Sequence, residues 1–134
     1  MDLFSDELHV VRGVGRVVWC QVTIPARTPP ATGAESARKV IDFLIETALQ
    51  RRSSWLGLVL DTRAGPSVFG PVTRSATVRL LESAEAAHKP FAVLSPRGTT
   101  QFEQYSSLAA AHAPRYALVT DDPQRASDWM TTTR

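Results

Sequence analysis

Hydrophobic positions along this sequence repeat at two spacings, one typical of strands and one typical of helices. Residues 8–12 and 16–24 are expected to form two strands, with Gly13 and Gly15 in the hairpin turn between them. In the second strand Trp19 is predicted to face away from the inward positions, which are Val18, Cys20, Val22 and Ile24. The chain is therefore expected to open with an antiparallel hairpin.

The most informative stretch is residues 56–82, which is typical of a buried strand, a loop and an amphipathic helix. Apolar residues dominate positions 56–60, and Asp61 ends the run. Such a run is typical of a strand that is covered on both faces in a parallel sheet. Pro71 suits the first turn of the next helix, predicted over 71–88, where a missing N–H costs nothing. Sites in such folds gather where strands end and helices begin.

The other elements follow from the same two spacings. They are a helix over 34–51, a strand over 91–94, a helix capped by Thr99 or Thr100, a strand over 116–119, and a short helix capped by Asp121 or Asp122. Side chains expected to face inward on the last two helices are Phe102, Tyr105, Ala109, His112, Trp129 and Met130. The predicted order is β-β-α-β-α-β-α-β-α, an α/β fold with parallel neighbours and an antiparallel opening pair.

Composition limits the class of protein. The chain has 134 residues, near the common size of one domain, so we expect a single domain over 1–134. Lys and Arg number 15 against 13 Asp and Glu, and this small excess argues against a nucleic-acid partner. The single Cys20 excludes an internal disulfide and suits a reducing compartment. Because no apolar run suits a signal peptide or a membrane span, we expect a cytoplasmic protein.

Residues that carry chemistry in other proteins form no recognisable catalytic or metal-binding pattern here. His9, His88 and His112 have no partner ligands at helical spacing, so each is interpreted as structural. Cys20 alternates with apolar residues and is interpreted as a small core residue. The sequence has no Gly-x-Ser-x-Gly elbow and no Walker loop. We therefore predict no metal, no cofactor and no enzymatic activity.

Charged residues are predicted to gather at the carboxyl ends of the strands. Asp61 stands two residues before Arg63, and it either contacts a ligand or partner or organises the loop by pairing with Arg63. Arg63, Arg74 and Arg97 either converge as an anion-binding rim beside two helix starts or remain solvated surface residues. Phe69 lies in a loop, where a large aromatic side chain is unusual unless it packs or binds.

Two short motifs carry a resemblance to a known family. One is LVLDTRAGP at 58–66, a hydrophobic strand followed by Asp-x-Arg. The other is Thr-Asp-Asp at 120–122, followed by Ala126 and Trp129. With the length and element order, they make the chain similar to the STAS domains of anti-sigma-factor antagonists, most closely the SpoIIAA-like subgroup, whose fold is shared with CRAL-TRIO-type lipid-transfer domains. The resemblance implies a mixed sheet of four or five strands, helices mostly on one face, and a non-enzymatic regulatory module.

The start of the second helix departs from that family's pattern. Phosphorylated STAS antagonists carry Asp-Ser-Ser-Gly there, whereas this chain reads FGPVT over 69–73. Pro71 has no hydroxyl, Ser67 lies upstream in the loop, and Thr73 lies inside the first turn. We therefore predict that no kinase switch operates at this helix start. Stoichiometric phosphate on Ser67 or Thr73, found by phosphopeptide mapping of the native protein, would contradict the prediction.

Two functions from different classes remain. The first is protein binding through the loop 62–70 and the start of the second helix, with these candidate contact residues: Asp61, Arg63, Ser67, Phe69, Thr73 and Arg97. The second is binding of a lipid, a nucleotide or another anion in a pocket lined by Arg63, Phe69 and Arg97. A sheet with helices mostly on one side also makes Trp19 a candidate for self-association into a homo-oligomer through residues 16–24.

Overall fold

A computed structural model of the protein describes residues 1–6, 8–23, 30–65 and 70–132, with the backbone alone at 30–34. These residues form six strands and four helices. The strands are β1 (Asp2–Ser5), β2 (His9–Val14), β3 (Val17–Val22), β4 (Gly57–Asp61), β5 (Phe91–Leu94) and β6 (Ala117–Thr120). The helices are α1 (Pro30–Ala48), α2 (Pro71–Ala87), α3 (Thr100–His112) and α4 (Pro123–Thr132).

All six strands belong to one sheet, and their order in space is the same as their order along the chain. β1, β2 and β3 pair antiparallel, and β3 to β6 pair parallel. The predicted α/β class with a mixed sheet is thereby confirmed. The predicted count of four or five strands is wrong, because the sequence pattern does not reveal β1. Only Leu3 and Phe4 of its four residues are apolar, and pairing with β2 holds the strand in the sheet.

Three of the four helices lie on the same face of the sheet. A connection between parallel neighbouring strands is right-handed, and every connection from β3 to β6 steps in the same direction. The crossovers therefore carry α1, α2 and α3 to one face. α4 follows β6 and is free of that constraint, and it packs on the opposite face against β4, β5 and β6.

The sheet divides the interior into two hydrophobic clusters. The larger lies under α1, α2 and α3, and its fully buried side chains include Val18, Leu44, Leu58, Leu80 and Phe91. The smaller lies under α4 and consists of Val59, Ala92, Leu94, Ala126 and Met130. All five residues of β4 are buried, as expected of a strand covered on both faces. Gly57 permits this packing, because a Cβ atom there would collide with Pro90 and Met130.

Local sequence signals predict the starts of α2 and α3 correctly but place the start of α1 too late. α2 begins at Pro71 as predicted, and Thr99 caps α3 by accepting a hydrogen bond of 3.2 Å from the N–H of Phe102. α1 spans Pro30–Ala48, whereas the pattern predicts 34–51. Proline is favoured in the first turn of a helix, which accounts for the earlier start.

The buried face of α3 differs from the predicted one. The residues that α3 buries are Gln101, Tyr105, Leu108 and Ala109, whereas Phe102 and His112 are half-buried. α3 packs against both β6 and α2, so two neighbours set its buried face. β3 ends at Val22, and Ile24, the last residue of the predicted strand, lies outside the described residues.

Candidate functional site

The loops that follow β4, β5 and β6 meet at one edge of the sheet. In the strand register Asp61 lies beside Leu94, which in turn lies beside Thr120. The pairing continues into the loops, because Thr62 N–H donates to Leu94 O at 3.0 Å and Ser95 N–H donates to Thr120 O at 3.0 Å. Since α2, α3 and α4 begin after these loops, their positive N-terminal ends are directed to the same edge.

Asp61 and Arg63 form an ion pair at this edge. The guanidinium of Arg63 donates to both carboxylate oxygens, from Nε at 3.0 Å and from Nη2 at 2.9 Å, and the N–H of Arg63 donates to Oδ1 at 3.1 Å. The side chain of Asp61 is 10% exposed and that of Arg63 is 43% exposed. These contacts give Asp61 a loop-organising role, and they leave part of Arg63 in solvent.

The ion pair shifts the pKa of both groups. Burial acts to raise the pKa of Asp61, but the hydrogen bonds and positive charge of Arg63 outweigh burial and hold that pKa below its ordinary value of 3.8. The hydrogen bond to Asp61 raises the pKa of Arg63 above its ordinary value. Both groups are therefore charged at neutral pH, so the edge contains a fixed charge pair.

A buried polar layer lies beneath this edge, on the face that α3 covers. Thr62 Oγ1 donates to Leu94 O at 2.7 Å, and the side chain of Tyr105 forms a hydrogen bond with Thr62. Burial raises the pKa of Tyr105 to about 12, although the bond with Thr62 acts in the opposite direction, so the phenol stays protonated. The buried Ser95 hydroxyl has no hydrogen-bond partner within the described part of the chain.

Arg97 pairs with Asp121, whereas Arg63 pairs with Asp61. Its Nε lies 3.5 Å from Asp121 Oδ2, and its guanidinium carbon lies 5.8 Å from the ring centre of Phe102. These contacts join the loop after β5 to the loop after β6. Arg74 is exposed on α2. Each of the two loop arginines thus has its own carboxylate, and their convergence on one anion stays a prediction.

The start of α2 is exposed and apolar. Gly70 is the N-cap residue, in an extended conformation, and it provides no side chain to cap the first N–H groups of the helix. Pro71 is exposed, and Val72 is 39% exposed. A large apolar side chain therefore faces solvent close to the loop that the sequence singles out.

The remaining predicted contact residues of that segment are Ser67, Phe69 and Thr73. Thr73 is half-buried, and its carbonyl accepts a hydrogen bond of 2.8 Å from Thr77 Oγ1. Ser67 and Phe69 lie outside the described residues, so their predicted roles stay predictions.

Trp19 lies on the face of the sheet that α4 covers. It is half-buried and packs with Trp129 around the smaller core. In the strand register its neighbours are Arg12 on β2 and Val59 on β4. At the turn end of the same hairpin, Val14 is 56% exposed. Part of the Trp19 ring remains accessible, and the predicted self-association through its strand stays a prediction.

A partly buried cluster that the sequence pattern does not predict joins Asp6, His9 and Ser36. Ser36 Oγ donates to Asp6 Oδ2 at 2.6 Å, and His9 Nδ1 lies 2.9 Å from Ser36 Oγ and 3.3 Å from Asp6 Oδ1. In a catalytic triad the histidine stands between the hydroxyl and the carboxylate, whereas here the serine binds the acid directly. The cluster therefore joins the opening hairpin to α1 and has no catalytic geometry.

Burial, hydrogen bonds and nearby charge shift the pKa values of Asp6, His9 and Cys20. It lowers the pKa of His9 below the ordinary 6.5, although Asp6 acts in the opposite direction. For Asp6, burial acts to raise the pKa, but hydrogen bonds from Ser36 and the backbone and the charge of His9 outweigh it, and the pKa is lowered. Burial raises the pKa of Cys20 to about 12, which keeps the thiol protonated and unreactive.

Among the residues that the structure describes, two grooves lie away from this edge. One, of about 730 Å³, lies between the end of α1 and the last turns of α2, and its lining includes Arg51, Arg52 and Ser83. The other, of about 270 Å³, lies between α3 and β6. Both are separate from the Asp61–Arg63 pair.

The described side chains include no group of three or more His, Cys, Asp or Glu residues placed to hold a metal ion. Among the helices of the described ranges, none has the length and apolar character needed to cross a membrane.

Comparison with known proteins identifies a fold and no family. No family model matches the sequence, and no curated protein matches it. Among solved structures, the NMR structure of the protein TM1081 is similar, with a TM-score of 0.62 over 97% of this chain and 99% of that chain. The two sequences are 15% identical. At that identity the likeness shows a shared fold alone.

Proposed function

We propose that the chain is a non-enzymatic regulatory module of the STAS type, similar to the SpoIIAA-like subgroup, that binds a protein partner. The partner contacts the loop 62–70 and the start of α2. The observation that supports this proposal best is the exposed Val72 at an apolar, uncapped helix start. Single exposed apolar side chains are common on protein surfaces, so the support comes from the position of Val72, at the edge where strands end and sites gather.

The chemistry of this edge suits a protein surface. Protein contacts commonly combine an apolar centre with a polar rim. Val72 supplies the apolar centre, and the partly exposed Arg63 supplies a cation whose position Asp61 fixes. The first turn of α2 supplies N–H groups that an acidic or carbonyl oxygen of the partner can accept from. A partner with an apolar side chain next to a carboxylate would match all three features.

A small anionic ligand is the alternative function. The observation in its favour is that three helix N-terminal ends and the exposed Arg97 lie at the same edge. Such ends attract phosphate and carboxylate groups. A lipid headgroup, a nucleotide or another anion would then bind where the proposed partner does.

The experiment that tests the proposal compares Val72→Asp with Val14→Asp, which introduces the same charge at another exposed valine. Tagged wild-type protein and both variants are incubated with extract of the native cells, and the captured proteins are quantified by mass spectrometry. We expect the partner to be captured by the wild type and by Val14→Asp and to be lost with Val72→Asp. Equal capture by both variants would refute the proposed contact.

The alternative function has its own measurement. Native mass spectrometry of the wild-type protein, purified from the same cells, would show a small ligand as added mass. Loss of that mass in Arg97→Glu, together with unchanged protein capture, would favour the small-molecule function over the protein partner.

A further inference from the structure

The 730 Å³ groove lies where α1 and α2 end and β4 and β5 begin, at the opposite end of these strands from the proposed partner site. Small-molecule sites commonly have volumes of about 300–1,000 Å³ and combine apolar surface with a few polar groups. This lining includes the small apolar side chains of Ala86 and Ala87, the Ser83 side chain, and Arg51 and Arg52. The groove therefore has the size and the mixed lining of a small-molecule site.

Arg51 and Arg52 differ from most arginines of the described chain in having no acidic partner. Five others each pair with an Asp or a Glu: Arg12, Arg63, Arg79, Arg97 and Arg115. Arg51 and Arg52 are exposed, and neither forms an ion pair with a described residue. Arg51 Nη2 lies 3.5 Å from His88 Nε2, and a histidine carries no negative charge. Two neighbouring guanidinium groups thus line one groove with their charge unneutralised.

The two helix ends beside the groove are capped by residues other than these arginines. Cations near the end of a helix commonly serve its last carbonyl groups. Here the last carbonyls of α1 accept hydrogen bonds from Gln50 Nε2 at 3.2 Å and from Ser53 Oγ at 2.6 Å. Those of α2 accept from the backbone N–H groups of His88 and Lys89. The two guanidinium groups are therefore available to an external anion.

The turn that carries the two arginines, residues 50–55, is fixed by further cations. Lys89 Nζ donates to two of its carbonyl groups, at 3.0 and 2.6 Å, and Arg16 Nη2 donates to a third at 3.2 Å. Burial and the charge of Arg16 hold the pKa of Lys89 below its ordinary value of 10.5. Glu46 is the one acid of the described lining, so the cations around this turn outnumber it.

We propose that this groove binds a small soluble molecule that carries a phosphate monoester. Arg51 and Arg52 bind the phosphate, whose charge of about −1.5 to −2 at pH 7 matches two guanidinium groups. The organic part of the ligand packs against Ala86 and Ala87. The net charge of the chain is only +2 and these cations surround one groove, which favours a small ligand over a nucleic-acid backbone. The site is independent of the proposed function at α2.

A titration of the wild-type protein with phenyl phosphate, followed by nuclear magnetic resonance, tests the site. This probe joins a phosphate monoester to a small apolar ring. We expect the backbone amide signals of Arg51, Arg52 and Ser83 to shift, and inorganic phosphate, which lacks the ring, to bind about tenfold more weakly. The absence of shifts at these residues, or shifts confined to the starts of α2, α3 and α4, would overturn the proposal. Equal affinity for the two probes would also overturn it, because it would show attraction of any anion.

A pair of matched double variants locates the phosphate. Arg51→Gln/Arg52→Gln removes two charges from the groove, and Arg38→Gln/Arg125→Gln removes two from exposed arginines outside it. We expect the first pair to raise the dissociation constant of phenyl phosphate about tenfold or more and the second to change it by less than about twofold. Equal weakening by the two pairs would refute the site. Should the first double variant fail to fold, the titration of the wild type decides alone.

A lipid headgroup is the other source of a phosphate monoester. Vesicles of phosphatidylcholine that contain phosphatidic acid present this group at a membrane surface, and co-sedimentation measures capture of the protein. We expect no capture of the wild type. Capture that is lost in Arg51→Gln/Arg52→Gln, without shifts from phenyl phosphate, would overturn the soluble ligand and make the headgroup the occupant.

Discussion

Arg63 neutralises Asp61 through three hydrogen bonds, two from its guanidinium and one from its own backbone N–H. The spacing of two residues permits this because the chain turns immediately after β4. A largely buried carboxylate is costly unless it is paired and hydrogen-bonded. The same loop supplies the partner, so the conformation of the loop and the ion pair depend on each other.

Replacing Arg63 with Ala should therefore destabilise the fold. Asp61 would remain buried without its counter-charge, and the free energy of unfolding should fall by about 1–3 kcal/mol. Unfolding in denaturant measures the change. Arg97→Ala is the matched control, because the Arg97–Asp121 pair is exposed and should contribute less than about 1 kcal/mol. Equal losses from the two substitutions would contradict the prediction.

The lowered pKa of Asp61 makes stability depend on pH in the acid range. The unfolded chain takes up this proton near pH 3.8, and the folded chain takes it up only at lower pH. The stabilisation by Asp61 is therefore complete well above pH 3.8 and is lost as pH falls through the folded pKa. The unfolding free energies of the wild type and Asp61→Asn should converge as pH falls. A constant gap between the two curves would show that the prediction is wrong.

His9 should give a second pH dependence, closer to neutrality. Burial lowers its pKa in the folded protein, so the unfolded chain is protonated first, near pH 6.5. Stability from neutral His9 is present above pH 6.5 and is lost as pH falls through the folded pKa. His9→Gln should remove this slope and leave the Asp61 slope in place. Unfolding curves of the two proteins, measured across both ranges, test this, and an unchanged slope would count against it.

Ser95→Ala should leave stability unchanged or increase it by up to about 1 kcal/mol. The Ser95 hydroxyl is buried and lacks a partner among the described residues, so its removal relieves a cost. Thr62→Val is the control, because it removes a hydroxyl that donates to Leu94 O, and it should destabilise the protein by about 1 kcal/mol. Thermal unfolding compares the three proteins. A clear loss of stability in Ser95→Ala would mean that the hydroxyl has a partner.

Trp19→Ala should cost about 2 kcal/mol of unfolding free energy, less than a fully buried tryptophan would. The ring is half-buried and packs against the core under α4. Val14→Ala, on the exposed part of the same hairpin, should change stability by less than about 0.5 kcal/mol. Denaturant unfolding of both variants tests the contrast, and similar values for the two would contradict it.

Features that depend on neighbouring residues could be predicted from the sequence. The apolar run of β4, the proline at the start of α2 and the cap at Thr99 each have a local physical cause. The pairing of Asp61 with Arg63 was one of two alternatives, because two residues of spacing allow it without requiring it. These local signals gave the α/β class and the edge at which to look for a site.

Features that depend on distant residues could not be predicted. β1 has only two apolar residues, which show no pattern, and it exists through its pairing with β2. Ser36 is 27 residues from His9 and 30 from Asp6, and only the packing of α1 on the hairpin brings them together. The bond between Arg97 and Asp121 depends on the adjacency of two strands. Spacing along the chain contains no information about such contacts.

The strand order has a consequence for synthesis on the ribosome. Each strand from β2 to β6 pairs with the strand translated just before it, so no later strand must be inserted between two that have already joined. A nascent chain can extend the sheet at one growing edge, and the apolar face of β4 and β5 stays uncovered until α4 is made. β6 joins last of the six. All the other strand pairs can therefore form before the last strand of the sheet has been made.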